Sequence, residues 1–396
     1  MLKNLLRCIG EYKKPSILAP ICVTLEVILE VLIPFLMASL IDEGISSGNM
    51  NRILFYGLIL VAAAMASLAC GALSGHYAAV ASAGFAKNLR QAMFYKVQDF
   101  SFTNIDRFST SSLVTRLTTD VTNVQNAYQM VIRVAVRAPI MLISAFVMAC
   151  KINPRLALIY LAIIPVLGCI LFAIIVTAHP IFSRVFKTYD KLNNVVQENV
   201  HGIRVVKSFV REDYEKEKFN NISGAIFKDF NKAEKLLAFN SPAMQTCVYT
   251  CMLLISWFGA HMIVSNTMTT GELTSMFTYT MQILMSLMML SMIFVMVTMS
   301  RASVERIDEV LKEQPDIKDA AQPVKEVKNG DICFSHVSFS YSKDKNRLSL
   351  KDINLDIKSG ETVGIIGGTG SAKSSLVQLI PRLYDITEGS LTVGGL

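Results

Sequence analysis

Long apolar runs broken by short polar turns dominate the first three hundred residues. Six stretches, 16–41, 53–75, 138–153, 156–178, 243–265 and 274–299, reach or approach the ~20 apolar residues a helix needs to cross a bilayer. The third is the shortest. "DEGISSGNMNR" joins the first pair, the second pair turns at "KINPR" with Asn153-Pro154 as breaker, and "SNTMTTGEL" separates the last pair. The other two connections run for about 60 residues each. Within them "FAKNLRQAMFYKVQDF" and "YDKLNNVVQENVHGIRVVKSFVREDYEKEKF" alternate apolar and charged residues at helical spacing, with almost no Gly or Pro. The pattern predicts membrane helices that continue past the bilayer in pairs and turn back at a distance. An arm of about 25 helical residues reaches nearly 40 Å.

From about residue 301 the pattern changes. "RASVERIDEVLKEQPDIKDAAQPVKEVKNG", with Pro315 and Pro323, reads as a helix end followed by a linker. Strand-like runs follow: "DICFSHVSFSY", "LSLKDINLDI", "ETVGIIG" and "SLTVGG", interrupted by one helix that starts near Lys373 and is stopped by Pro381. The expected organisation is a membrane domain over 1–303, a linker over 304–328 and the first part of a soluble α/β domain over 329–396. The fold class is a mainly α membrane protein with six transmembrane helices, followed by an incomplete α/β nucleotide-binding domain.

Composition agrees. The chain is 52% hydrophobic and 17% charged, whereas a soluble domain carries about 25% charged residues. A net charge of +7 could point to nucleic acid. The basic residues instead gather in the two long loops: Lys87, Arg90, Lys96, Arg107 and Arg116, then Arg184, Lys187, Lys191, Arg204, Lys207 and Arg211. Positive-inside logic puts both loops and both termini in the cytoplasm, so the charge is a topology signal and no nucleic-acid partner is expected. Lys3, Arg7, Lys13 and Lys14 precede a first run without a signal-peptide cleavage pattern, so that run is a retained helix. Eight cysteines show no CxxC pair, and Cys247 and Cys251 fall one helical turn apart in an apolar run where small thiols pack. Neither a disulfide nor zinc is expected. His76, His179 and His261 have no partner spacing and read as ordinary polar positions.

"GIIGGTGSAKSSL", residues 364–376, carries the chemistry. A phosphate cradle needs a Gly-rich turn between a strand and a helix, with backbone N–H groups aimed inward. Gly367, Gly368, Thr369, Gly370, Ser371, Ala372, Lys373 and Ser374 fit that pattern, except that Ala372 stands where glycine is expected before the lysine. In such a loop Lys373 reaches the terminal phosphates of ATP and the Ser374 hydroxyl holds Mg²⁺. Alanine keeps its N–H, and at the junction with a helix a helical φ suits it. Weakened but real ATP binding is the expectation.

With these residues in place the chain resembles ABC exporters of the six-helix half-transporter type, of the bacterial heterodimeric multidrug kind. "VSFSYSKDKNRLSLKDINLDIKSGETVGIIGGTGSAKSSLVQLIPRLYDITEGSLTVGG" looks like the opening of an ABC nucleotide-binding domain. The resemblance implies that Tyr341 stacks on adenine and that Ser375 meets the phosphates beside Ser374. "DRFSTSSLVTRLTTDV" and "ENVHGIRVVKSFVREDYEKEKF" resemble the loops that carry coupling helices, near 114–122 and 198–206, which press on the nucleotide domains. "WFGAHMIVSNTMTTGEL" and "SVERIDEVL" match family patterns around the last two helices. The implied partner is a second half-transporter, in a hetero- or homodimer within the cytoplasmic membrane. The implied cargo is a hydrophobic or amphiphilic small molecule such as a drug or lipid. No peptidase region precedes the first helix, which weighs against a leader-processing peptide exporter. The glutamine loop, signature segment, Walker B carboxylate and switch histidine that hydrolysis requires all lie beyond Leu396. The expectation is therefore a truncated copy of a longer product with no catalytic residue of its own. The alternative is a non-transporting membrane fragment that binds nucleotide weakly or not at all.

Two features bear on cargo. Met281, Met285, Met288, Met292, Met296 and Met299 recur at spacings of three and four and draw one face of the sixth helix. They form either a pliable cavity wall or helix packing. Glu26 and Glu30 lie one turn apart in the first run, where an intramembrane carboxylate usually has a purpose. Holding a cationic amphiphile and making a structural bond to a neighbouring helix are both open.

Overall fold

The computed structural model describes residues 2–318, 324, 326, 327 and 329–396. Pro323, part of the expected linker, lies outside the described residues. In chain order the helices are α1 (Leu2–Arg7), α2 (Lys13–Ser39), α3 (Met50–Gln98), α4 (Phe102–Phe108), α5 (Thr110–Thr115), α6 (Val121–Ile152), α7 (Pro154–His201), α8 (Ile203–Ser208), α9 (Glu212–Ala238), α10 (Asn240–Val264), α11 (Thr270–Lys312) and α12 (Lys373–Leu379). The strands are β1 (Ile332–Phe339), β2 (Leu350–Ile357) and β3 (Glu388–Val393). Short π-helical turns, Leu40–Ile45 and Arg116–Asp120, follow α2 and α5.

Among the described residues six helical stretches are long and apolar enough to span a membrane, one for each run in the sequence. They outlast those runs. α7 has 48 residues, about 72 Å of helix against ~30 Å of hydrocarbon, so the polar continuation stays helical as its periodicity predicts. The predicted break at Asn153-Pro154 is a helix cap. The Asn153 side-chain oxygen accepts from the N–H of Arg155 (3.1 Å) and Leu156 (3.2 Å), and Pro154 occupies the first helical position. α11 runs on to Lys312, past residue 304 where the linker was expected to begin.

The chain divides into two compact units, one of Met1–Gly10, Gly84–Gln125 and Ser300–Leu396, the other of Glu11–Ala83 and Asn126–Met299. The second unit holds the apolar core of the spans. Val23, Val27 and Val31 of α2 pack with Ala145, Leu156, Tyr160, Leu167, Met276, Tyr279 and Ile283. Lipid gives helices no hydrophobic reason to associate, so small contacts and hydrogen bonds must hold them. The hydroxyl of Tyr279 donates to the Val31 carbonyl (2.9 Å) and that of Ser275 to the Pro34 carbonyl (2.5 Å), beside the proline that interrupts the α2 ladder. Tyr160 donates to the Met276 carbonyl at 2.8 Å. Gly271 lets α11 start against α2. Its N–H donates to Asp42 (3.0 Å), and a Cβ there would lie 2.5 Å from the Ala38 carbonyl oxygen.

In the other unit β1 is the centre of an antiparallel sheet of order β2-β1-β3, with Phe334 opposite Leu355 on one side and Leu391 on the other. Phe334, Val337, Phe339, Leu350 and Leu379 of α12 form its core. "ETVGIIG" corrects the sequence reading, because no strand forms there. A strand needs a neighbour to take its N–H and C=O groups, and none lies beside this run among the described residues. Ile366 is accordingly 99% exposed. The same unit contains an ionic seam between the first long loop and the end of α11. Asp120, almost fully buried, accepts from Arg306 (Nε, 2.7 Å) and Ser303 (2.9 Å). Arg116 pairs with Glu309 at 2.8 Å and Arg107 with Glu313 at 3.0 Å.

Candidate functional site

The loop before α12 folds as a glycine-rich turn closed on itself. The N–H of Ser371 (3.3 Å) and its hydroxyl (2.9 Å) both donate to the Gly368 carbonyl. The Lys373 ammonium curls into the turn, donating to the carbonyls of Gly367 and Gly368, each at 2.7 Å, and to the Ser371 hydroxyl at 3.2 Å. A Cβ at Gly368 or Gly370 would meet nothing within 4 Å, so both glycines border open space with bare backbone. Bare backbone with one ammonium at its centre fits a polyphosphate. Thr369 and Ser374 are exposed at the rim. Ser374 places a hydroxyl in the first turn of α12 beside Lys373, and Mg²⁺ takes few protein ligands alongside phosphate oxygens and water.

Ala372 departs from expectation. It was read as helical, yet its φ is +58° and ψ 23°, the left-handed region, as the residue that caps α12. Gly370 two residues earlier is also left-handed, with φ +85°. The turn must reverse within Gly368–Lys373 before a right-handed helix can start, and the position before the lysine carries part of that reversal. Glycine does this freely. An alanine side chain opposes it by about 1–2 kcal/mol.

Tyr341 and Ser375, assigned from the resemblance, come together. The Tyr341 and Ser375 hydroxyls lie 2.9 Å apart, and Tyr341 donates to Gln378 at 3.2 Å. Ser375 is buried, while Tyr341 leaves 45% of its surface open beside the loop. Its ring stands edge-on to Phe339 (4.7 Å between centroids) and Tyr384 (5.1 Å). Tyr384 carries no signal in the sequence beyond its aromatic character. Its hydroxyl donates to Asp106 of α4 at 2.8 Å. Burial, reinforced by that carboxylate, pushes its pKa up to about 12.

The long-loop elements fall slightly off their expected places. Instead of 114–122 there is α5 at Thr110–Thr115, followed by the π turn and the start of α6 at Val121. Instead of 198–206, α7 continues to His201, Gly202 breaks it, and α8 covers Ile203–Ser208. Around α8, Val205, Phe209 and Val210 are at least 60% exposed.

Of the cargo candidates, the Met face is open in part. Met281, Met285, Met292 and Met299 are exposed, while Met276, Tyr279, Ile283 and Leu284 form the buried side of α11. Met288 is partly buried against the core, and Met296 is half-buried. Glu26 and Glu30 share one partner that sequence spacing could not reveal. Arg137 of α6 forms ion pairs with Glu26 and, at 2.5 Å, with Glu30. This is a bond to a neighbouring helix, with two carboxylates sharing one guanidinium. Among the described residues no group of His, Cys, Asp or Glu is arranged to hold a metal, and none of the eight cysteines is in a disulfide.

Comparison with known proteins matches the same regions. The ABC transporter transmembrane region profile matches residues 16–301, and the ABC transporter profile matches residues 350–395. The uncharacterized ABC transporter ATP-binding protein YfiB of Bacillus subtilis is 33% identical over 387 residues, covering 97% of this chain and 67% of that protein. The probable multidrug resistance ABC transporter ATP-binding/permease protein YheI of the same organism is 30% identical over 217 residues, 55% of this chain and 37% of that one. The ATP-dependent lipid A-core flippase of Sodalis glossinidius is 25% identical over 387 residues, 98% of this chain and 66% of that one. The chain spans about two thirds of the length of the curated relatives it matches along its whole extent.

Proposed function

The chain belongs to the ABC transporter family, as a multi-pass half-transporter with an ATP-binding segment, and from that premise we propose that it is a half-subunit of an ATP-driven exporter moving hydrophobic or amphiphilic compounds out across the cytoplasmic membrane. The observation that carries this reading is the loop itself, with bare backbone around Lys373 and an open aromatic ring, Tyr341, anchored to the helix that follows. The base of ATP would stack on Tyr341, and Gly367–Ser374, Lys373 among them, would hold its phosphates, with Ser375 next in the chain. Ser374 would contribute the protein's oxygen to Mg²⁺. When bound, Mg²⁺ would offset the phosphate charge, and hydrolysis of ATP in the complete transporter would supply the free energy. This chain's residues bind and orient them.

Both termini and both long loops are cytoplasmic in this proposal. The partner is a second half-transporter, and the exposed apolar residues around α8 are the surface that docks on its nucleotide domain. Isolated apolar side chains on a surface need no explanation, but a cluster at the tip of an arm marks an interface. Cargo meets Met281, Met285, Met288, Met292 and Met296, whose flexible thioethers accommodate varied apolar shapes. Glu30, with 34% of its side chain exposed against 12% for Glu26, is the carboxylate offered to cationic cargo. The names of the multidrug and lipid-flippase relatives support this cargo class.

The test uses the chain in lipid nanodiscs and a fluorescent ATP analogue. Saturable binding, competed by ATP and weakened at least tenfold by Lys373→Ala, is expected. Binding that ignores Lys373→Ala would remove the loop from the proposal. For cargo, inverted vesicles from cells expressing the gene should accumulate a lipophilic cation with ATP, and Met288→Ala with Met292→Ala should change which compounds are moved. Loss of all transport together with loss of folded protein would assign these methionines to packing.

A further inference from the structure

One side chain touches both the proposed base-stacking ring and the first long loop. Tyr384 follows α12 and is half-buried. On one side its ring meets Tyr341 edge-on at 5.1 Å and Phe339 at 5.7 Å. On the other it meets Phe102 at 6.1 Å, and its hydroxyl reaches Asp106 at 2.8 Å, so both ends of its outer contact lie on α4. α4 is in turn tied to the end of α11. Asn104 donates to the Glu313 carboxylate (2.8 Å) and the Gln314 carbonyl (3.2 Å), and Arg107 pairs with Glu313.

The contacts of Tyr384 differ in stiffness. Edge-to-face ring contacts are worth about 0.5–1.5 kcal/mol and depend on orientation. A hydroxyl donating to a carboxylate is short and strongly directional. When a base stacks on Tyr341, that ring can no longer choose its tilt freely, and its edge-on neighbour must follow. Phe339 is fully buried and cannot move without repacking the sheet core. Tyr384 is half-buried, and its hydroxyl hands any displacement to α4.

We propose that Tyr384 is a positioning residue that transmits occupation of the base site at Tyr341 to α4. The inference rests on the reading of Tyr341 as the base-stacking residue and goes beyond it. It makes the first long loop sensitive to the base of the nucleotide as well as to its phosphates. Inorganic tripolyphosphate, which fills the phosphate loop and leaves Tyr341 untouched, should then fail to affect α4.

The experiment is amide hydrogen exchange on the full chain in nanodiscs, followed at residues 102–108 with no addition, with saturating ATP and with saturating tripolyphosphate. ATP should change the exchange rate there at least threefold and tripolyphosphate should not. Tyr384→Leu should bind ATP within threefold of the native chain while losing that response. Tyr384→Phe, which keeps the ring and loses only the bond to Asp106, should fold normally and retain less than half of the response, so it carries the test should the leucine variant fail to fold. An undiminished response in both variants would overturn the proposal, as would an equal response to tripolyphosphate. Absence of ATP binding to the native chain would sink the nucleotide-site reading and this one together. ATP binding without any change at 102–108 would sink this one alone.

Discussion

A single methyl group decides how well the phosphate loop works. Ala372 is left-handed, at φ +58°, where an L-residue is about 1–2 kcal/mol worse off than glycine. If the empty loop relaxes out of that conformation, ATP must restore it, and the strain appears as lost affinity. Ala372→Gly is therefore expected to tighten ATP binding by about 5- to 30-fold, the factor that 1–2 kcal/mol represents. Titration of a fluorescent ATP analogue measures it directly. Weaker binding in the glycine variant would contradict a left-handed backbone at this position. The loop's composition was legible in the sequence, down to the lysine and both serines. Its handedness at position 372 was not, because a residue next to a helix start is helical by default. Only the reversal around Gly370 and Ser371 makes it otherwise.

Between elements, ion pairs over long sequence separations do the fastening, and these were the least legible features. Glu26 and Glu30 stood out in the first run by charge alone. Arg137, more than a hundred residues later, carries no spacing in the sequence that ties it to them. Breaking a fully buried pair leaves charge uncompensated and costs about 3–5 kcal/mol, and this partly buried group less, whereas replacing the whole group by apolar or neutral residues is often neutral. Arg137→Met should thus lower the unfolding temperature in detergent by several degrees, and adding Glu26→Gln and Glu30→Gln should recover most of it. A triple variant no better than the single one would show that the pairing contributes little. Asp316, outside the spans, gives a pH-dependent counterpart. Burial alone would raise its pKa, but the Ser101 hydroxyl and the Lys343 ammonium (2.9 Å) outweigh it and hold the carboxyl below its usual range. A depressed folded-state pKa means stabilisation that is fully present above about pH 4, the unfolded value, and lost as pH falls through the folded value. Amide protection of residues 101–108 should be flat from pH 7 to 5 and decline below 4, and Asp316→Asn should be uniformly less protected and flat throughout. A native profile parallel to that of the variant would remove Asp316 from the account.

At the scale of the whole molecule, hydropathy and charge placement together made the architecture readable. Six apolar runs became six helices, and the strand pattern after residue 330 became a sheet except where "ETVGIIG" has no neighbour. The proposed orientation across the membrane rests on the basic residues of the two long loops and on the absence of Lys and Arg in "SNTMTTGEL". Reversing it would carry the many charges of α9, Glu212–Ala238, to the outer side with no apolar run to replace them. The expected topology can be checked by single cysteines placed at Ser47, Thr267, Ser112 and Ser208 after the eight native cysteines are replaced. Ser47, Thr267 and Ser208 are exposed and Ser112 is partly buried, and Thr267 is preferred to Thr269 because the latter hydroxyl donates to Asp42 at 2.6 Å. In intact cells an impermeant maleimide should label positions 47 and 267 and leave 112 and 208 unlabelled. After permeabilisation all four should react. Labelling of 112 and 208 in intact cells, with 47 and 267 protected, would invert the map and move the phosphate loop away from cytoplasmic ATP. Labelling of 47 with 267 protected would break the even number of crossings between them, and one of the four intervening helices would then fail to span.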